Sequence, residues 1–319
     1  MSNNILPALF IAASLVSSCS KNYTSGAGPY SGSAAVFDSL GGSSTTTTFD
    51  AAAGGTFTSQ SGTRYVFPAN AFKTANGTPV SGEVQVKATE FLTRSAIMSS
   101  SVFPVSDNDP LVSSGEFNIT VSQGDQELSL MPPNIVQIVM PRHDTLTGMQ
   151  LYFGNKTPNG SSIVNWQLNT DSAQGSIQYE SNNLVITTTQ TGYINADKPM
   201  IGSTSDYSKN RSFYSLGNFG YQAISVSITS TEGIGDDKDI KGFVCYDNCF
   251  GMYPMTGVKF GKISWDRVLN APVHIVVTMV HHGYFYAGSL PVTPQDGANY
   301  RLNLTKTTPE GFKTLVNNL

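Results

Sequence analysis

The chain reads as an all-β protein: tandem antiparallel β-sandwich domains with a short C-terminal helix. Three observations predict this. Apolar and polar residues alternate over many short stretches, as they do in a strand with one buried face. Turn-forming strings ("ANGT", "DND", "PNGS", "DG") fall between those stretches. Only 13% of the 319 residues are charged, against about 25% in an average globular chain. Ser, Thr, Asn and Gly fill the gap, so the surface is kept wet by neutral hydrogen-bonding groups. The net charge of −4, without a basic run, removes the electrostatic footprint of a nucleic-acid binder. After the N-terminus, no segment approaches the ~20 apolar residues that a membrane-spanning helix needs.

The elements follow in order. Ile5–Val16 is an apolar run too short to span a bilayer and of the length of a signal-peptide core. It meets Val16-Ser17-Ser18-Cys19, an aliphatic residue and two small residues before a cysteine. This resembles a bacterial lipobox, which makes 1–18 a signal peptide and Cys19 the lipidated N-terminus. The leading "MSNN" lacks the usual Lys or Arg, and the alternative is an ordinary signal peptide with Cys19 incidental. Residues 19–50 are Ser/Thr/Gly-rich with few large apolar side chains, and are expected to form a flexible tether.

From residue 51 the period becomes two. Val84, Val86 and Ala88 oppose Glu83, Gln85 and Lys87, and Phe117, Ile119 and Val121 oppose Glu116, Asn118 and Thr120. Val164/Trp166/Leu168, Ile224/Val226/Ile228 and Tyr300/Leu302/Leu304 repeat the pattern. The one helix expected is C-terminal. Thr308 caps it, Pro309 opens it, Glu310 favours its dipole, and Phe312, Leu315, Val316 and Leu319 form its apolar stripe. Gly311 costs it about 1 kcal/mol. The expected units are a β-domain over 51–143, a second β-domain or extension over 144–212, and a C-terminal sandwich with its helix over 213–319.

The stretch from Gly62 to Thr120 resembles the N-terminal module of a broad set of Bacteroidetes envelope lipoproteins of unassigned function. Phe67-Pro68-Ala69-Asn70-Ala71-Phe72, Gly77, Val80-Ser81-Gly82, Glu90 and Ser114-Gly115 carry the resemblance. More distantly, the same module resembles the ZU5 β-domain. Trp166 and the "GYINADKPM" segment at Gly192–Met200 are similar to a Gly-aromatic-Ile-Asn-x-Asp segment of that lipoprotein set. The resemblance implies an outer-membrane lipoprotein. Ser20 after the cysteine, and a following "SKNYT" without an acidic cluster, resemble sorting to the periplasm-facing side. In ZU5 proteins a following domain can cleave itself at a His-Ser or His-Phe-Ser string; neither occurs here.

Candidate chemistry is sparse. With Cys19 acylated, Cys245 and Cys249 in "FVCYDNCFG" form an even pair, and a disulfide is expected in an oxidising compartment; free thiols or two metal ligands are the alternatives. His274 and His282 are eight residues apart, ~26 Å along a continuous strand, so no metal shared between them is expected. His281, His282, Tyr284 and Tyr286 form a candidate binding patch for a sugar ring or a partner surface, against the plainer reading of cross-strand aromatic pairs. "SDNDP" at Ser106–Pro110 and "GDDKD" at Gly235–Asp239 lack the EF-hand frame and read as solvated turns. Nucleophile-elbow, zinc-protease and phosphate-loop motifs are absent, and no catalytic residue, metal or cofactor is expected. Glu90 and Glu116 are the carboxylates to inspect for a glycosidase-type pair, with structural hydrogen bonding the better expectation for each.

These readings combine into a lipid-anchored envelope binding or scaffold protein, without catalysis, whose partners are the membrane through its lipid and a glycan or envelope protein. The alternatives are an envelope glycan or peptide hydrolase and a structural subunit of an envelope assembly.

Overall fold

The computed structural model describes residues 28–107, 109–142, 146–156, 164–200, 221–247 and 249–319. The signal peptide at 1–18, Cys19 and the boundary near 212 lie outside them. In chain order come α1 (Ser33–Asp38), β1 (Ser43–Asp50), β2 (Gly55–Thr58), β3 (Arg64–Phe67), β4 (Phe72–Lys73), β5 (Glu83–Phe91) and α2 (Arg94–Ser100). Then follow β6 (Val105–Ser106), β7 (Asp109–Gln123), β8 (Gln126–Leu130), β9 (Val136–Pro141), β10 (Gln150–Lys156), β11 (Val164–Leu168), β12 (Gly175–Glu180), β13 (Asn183–Thr188) and β14 (Gly192–Pro199). The C-terminal part holds β15 (Tyr221–Ser230), β16 (Ile240–Tyr246), β17 (Met252–Met255), β18 (Gly257–Lys259), β19 (Lys262–Leu269), β20 (Val273–His281), β21 (Tyr284–Val292), β22 (Asn299–Lys306) and α3 (Pro309–Asn317). The expected all-β class is the observed one.

A first sheet runs β1-β5-β7-β14-β10-β11, and a second runs β12-β13-β9-β3-β2. Their facing sides bury Phe67, Phe72, Phe117, Ile119, Ile138, Leu184 and Ile194, the interior of a sandwich. A third sheet, β17-β16-β20-β21-β22-β15-β19-β18, curls on itself. Only Thr256 separates its two edge strands in sequence, so the chain bends there from one edge to the other. It encloses a second core that includes Val226, Val244, Ile263, Ile275 and Leu302. A third core joins the two parts. It holds Phe91, Phe103, Tyr152 and Trp166 from the first part and Phe243, Met252, Val276 and Phe285 from the second, with residues of all three helices between them. The C-terminal helix forms as expected: the Thr308 hydroxyl accepts from Gly311 N at 3.1 Å, and Phe312 and Val316 are buried.

One expectation changes here, and one that named two alternatives narrows to the extension. The tether expected over 19–50 is corrected over 28–50, which belongs to the fold. β1 pairs with β5 from Ser43↔Glu90 to Asp50↔Glu83, and the few apolar residues before it, Val36, Phe37 and Leu40, are all buried. A Thr run suits an edge strand, because strand pairing is satisfied by backbone and branched Cβ atoms and needs few apolar side chains. Residues 144–212, expected as a second domain or an extension, build no sheet of their own among the described residues. β14 pairs with β7 and β13 pairs with β9, so this segment completes both sheets that the preceding residues begin.

Candidate functional site

The patch expected at His281, His282, Tyr284 and Tyr286 is a hairpin rather than one strand. His282 and Gly283 are its two-residue turn, with φ of 50° and 73°, which suits the right-handed twist of the flanking strands. His281 pairs with Tyr284 and Met279 with Tyr286, and Tyr286 is buried. Tyr284 is half-buried with the Lys306 ammonium 3.3 Å above its ring. The tip is covered: Gly28 N donates to His282 O at 2.9 Å and Tyr30 N to Gly283 O at 3.1 Å. A Cβ on Gly283 would stand 2.5 Å from Gly28 O, so glycine is required both for φ and for this approach. His281, His282 and Tyr284 therefore share a tip, while Tyr286 belongs to the core.

The disulfide expected between Cys245 and Cys249 is not formed; both are free thiols. Hairpin register is the reason. Cys245 lies opposite Met252, with its side chain in the third core, while Cys249 sits in the connecting loop. Burial pushes the Cys245 thiol up to about 12 and the Cys249 thiol up to about 11. In denaturant, both should react with a thiol reagent at once without prior reduction, and in the folded protein only slowly. A need for reductant in denaturant would refute the free-thiol state.

The acidic strings are engaged in turns and caps. Asp237 accepts from Phe260 N and Gly261 N, and Asp239 accepts from Ser33 N at the start of α1. Asp107 pairs with Asn165, and Asp109 accepts from Arg267 and from the Tyr221 hydroxyl. His274 Nδ1 lies 2.8 Å from Asp247 Oδ1.

Glu90 and Glu116 part company through register. Glu90 lies opposite Phe117, inside the sandwich, where it accepts from Ser59 Oγ and the Tyr65 hydroxyl, both at 2.7 Å. Glu116 lies opposite Phe91, whose side chain belongs to the third core. The two carboxylates stand on opposite faces of one sheet and share no cleft, so they cannot flank one glycosidic bond.

Glu116 instead meets residues that spacing in the sequence does not connect to it. It lies opposite Asn195 on β14, and Asp197 lies opposite Ser113. Between these pairs Ser114 is the extra residue of a β-bulge, which turns Ser113 to the side of Glu116. Ser113, Glu116, Asn195 and Asp197 are each at most 1% exposed. Ser113 Oγ donates to Asn195 Oδ1 at 3.1 Å, and Asn195 Nδ2 donates to Asp197 Oδ2 at 2.5 Å. No protein donor reaches either oxygen of Glu116 or Oδ1 of Asp197. Burial, then the Asp197 charge, holds the Glu116 carboxyl well above the usual range. Asp197 is raised by burial, against the lowering effect of the neighbouring Ser113 hydroxyl and Asn195 amide. The signal in the sequence was the pair of motifs "SGEF" and "GYINAD", which the fold places on neighbouring strands.

Two surface features remain. The outer face of β15, β22 and β19 carries Ser225, Ser227, Asn299 and Ser264, with Asn299 Oδ1 accepting from both Ser225 and Ser227 at 3.0 and 3.2 Å. It dips into an open depression of about 560 Å³ lined also by Thr256, Lys262, Trp265 and Asp266. A cleft of about 750 Å³ lies between α1 and the third sheet, walled by Phe37, Met98, Phe103 and Phe243, with Asp38, Asp237 and Lys241 also lining it. No protein-family model matches the chain, and no similar sequence was found among curated proteins.

Proposed function

We propose that this is a lipid-anchored envelope protein that binds a hydroxyl-rich glycan, without catalysis, through the outer face of β15, β22 and β19. The observation that carries the binding reading is the row of Ser225, Ser227, Ser264 and Asn299 on a rigid sheet, flanked by Lys262 and Arg301 opposite Ser227. Its hydroxyls and amide exchange hydrogen bonds with sugar hydroxyls, and the two flanking cations offer further donors that stay exposed to water. The separation of Glu90 and Glu116 onto opposite faces supports binding over hydrolysis. The anchor rests on "LVSSC", and the lipoprotein resemblance supports it. The nine residues from Cys19 to Gly28 reach at most ~30 Å, and Gly28 is bonded to the β20–β21 tip. That tip would therefore face the membrane, with the rest of the folded body beyond it.

Two measurements test this. Cys19→Ala should release the protein from the membrane fraction; unchanged partitioning sinks the anchor. Ser264→Arg should abolish retention of the protein on envelope polysaccharide while changing stability by no more than about 0.5 kcal/mol. Equal retention of variant and wild type, or no retention of the wild type, overturns the glycan reading.

A further inference from the structure

We propose that Glu116 and Asp197 hold a buried calcium ion at the junction of the first sheet and the C-terminal part. The site is independent of the glycan face.

The argument starts from a cost. Two carboxylates at 0% exposure on neighbouring strands repel each other and have lost their water. A core position gains nothing from such a pair unless something neutralises it. Among the described residues, neither carboxylate forms an ion pair with Lys, Arg or His. Arg94, a buried guanidinium at the start of α2, donates to the carbonyls of Tyr246 and Cys249. Three carboxylate oxygens, both of Glu116 and Oδ1 of Asp197, are left without a donor.

The surroundings are ordered as they would be behind a metal ligand. Ser113 fixes the Asn195 amide, and that amide holds Asp197 Oδ2, which orients the remaining oxygen. Hydrogen bonds of this kind from the protein commonly set the direction of a ligating carboxylate. The bulge at Ser114 is what assembles the group. Gly115 follows the bulge, and a Cβ there would stand 2.7 Å from Met140 Sδ, so the methionine packs directly on the strand backbone.

The donor chemistry selects the ion. Among the described residues no third carboxylate, histidine or cysteine joins the pair to make a cluster of three. The free donors are therefore three carboxylate oxygens, with Ser113 and Asn195 behind them, and these suit a hard cation and not zinc. Two carboxylate charges match a divalent ion. Calcium accepts irregular, largely dehydrated oxygen sites with a bidentate carboxylate, whereas magnesium holds its waters in near-octahedral order.

The test uses the purified full chain. After EDTA treatment and desalting, adding CaCl₂ should raise the melting temperature saturably, by about 5 °C at a hundredfold excess over the dissociation constant. Elemental analysis should find one calcium per chain. Glu116→Gln should lose both responses, and Glu90→Gln, which alters the buried carboxylate on the opposite face of this sheet, should keep them. The proposal is overturned if the wild type binds no calcium and shows no calcium-dependent melting; Glu116→Gln melting above the wild type would then identify a protonated acid pair. If Glu116→Gln fails to fold, the calcium content and calcium response of the wild type decide alone. Calcium binding that survives in a folded Glu116→Gln variant also overturns the assignment.

Discussion

Replacing Trp166 by alanine is expected to lower the free energy of unfolding by about 3–5 kcal/mol. Trp166 is fully buried in the third core, where its ring meets Tyr193 edge-on at a centroid distance of 6.3 Å. Its indole Nε1 donates to Phe103 O at 2.9 Å, in the segment that follows α2. Alanine removes the ring, leaves a cavity in a fully buried position, and takes away one of the two donors of the Phe103 carbonyl, which keeps Val105 N at 2.8 Å. Trp166→Phe separates the contributions, because it keeps most of the ring volume and loses the hydrogen bond; its cost should be roughly 1–2 kcal/mol. Urea unfolding followed by far-ultraviolet circular dichroism measures both. A loss below about 1 kcal/mol for Trp166→Ala would show that the third core does not hold the two parts together.

Arg94→Ala should destabilise by about 3 kcal/mol and change the cooperativity of unfolding. Arg94 opens α2 and is 7% exposed. One of its terminal nitrogens donates to Tyr246 O at 3.0 Å and to Cys249 O at 2.8 Å, and its guanidinium lies 5.4 Å from the Phe250 ring centroid. All three residues belong to the β16–β17 connection of the C-terminal part. The same loop meets β7 where Ser113 N donates to Phe250 O. Without the guanidinium, two carbonyls lose their donor and the loop loses its main tie to the first part. Calorimetry should then resolve two transitions where the wild type shows one, and Cys249 should label faster in the folded variant. A single transition at an unchanged temperature, with unchanged labelling, would refute the tie.

Much of the fold was legible in the sequence because strand pairing leaves a local trace. Val84/Val86/Ala88 and Phe117/Ile119/Val121 alternate as written, and both triplets line the first core. The C-terminal helix was legible for the same reason: its cap and its stripe lie within twelve residues. The hairpin tip was misread because His282 takes positive φ, a backbone state that histidine adopts less readily than Gly or Asn. The tether was misread because composition reports whether a segment has a core of its own, and β1 borrows one from β5. Cys245 and Cys249 looked paired by their even number, but the register of β16 against β17 sets which side chains meet.

The sequence by itself determined the strand class, the C-terminal helix, the neutral surface and the absence of the common catalytic motifs, since each is written within a dozen residues or in bulk composition. Only the tertiary structure decided what each buried carboxylate meets on its face. Glu90 shares the parity of Val84, Val86 and Ala88 and Glu116 opposes Phe117, Ile119 and Val121, yet only strand pairing sets Tyr65 beside the one and Asp197 beside the other. Side chains alternate with period two along a strand, so a one-residue difference in pairing reverses the face. Glu116 and Asp197, 81 residues apart, became neighbours through long-range pairing and one bulge, which no local pattern encodes.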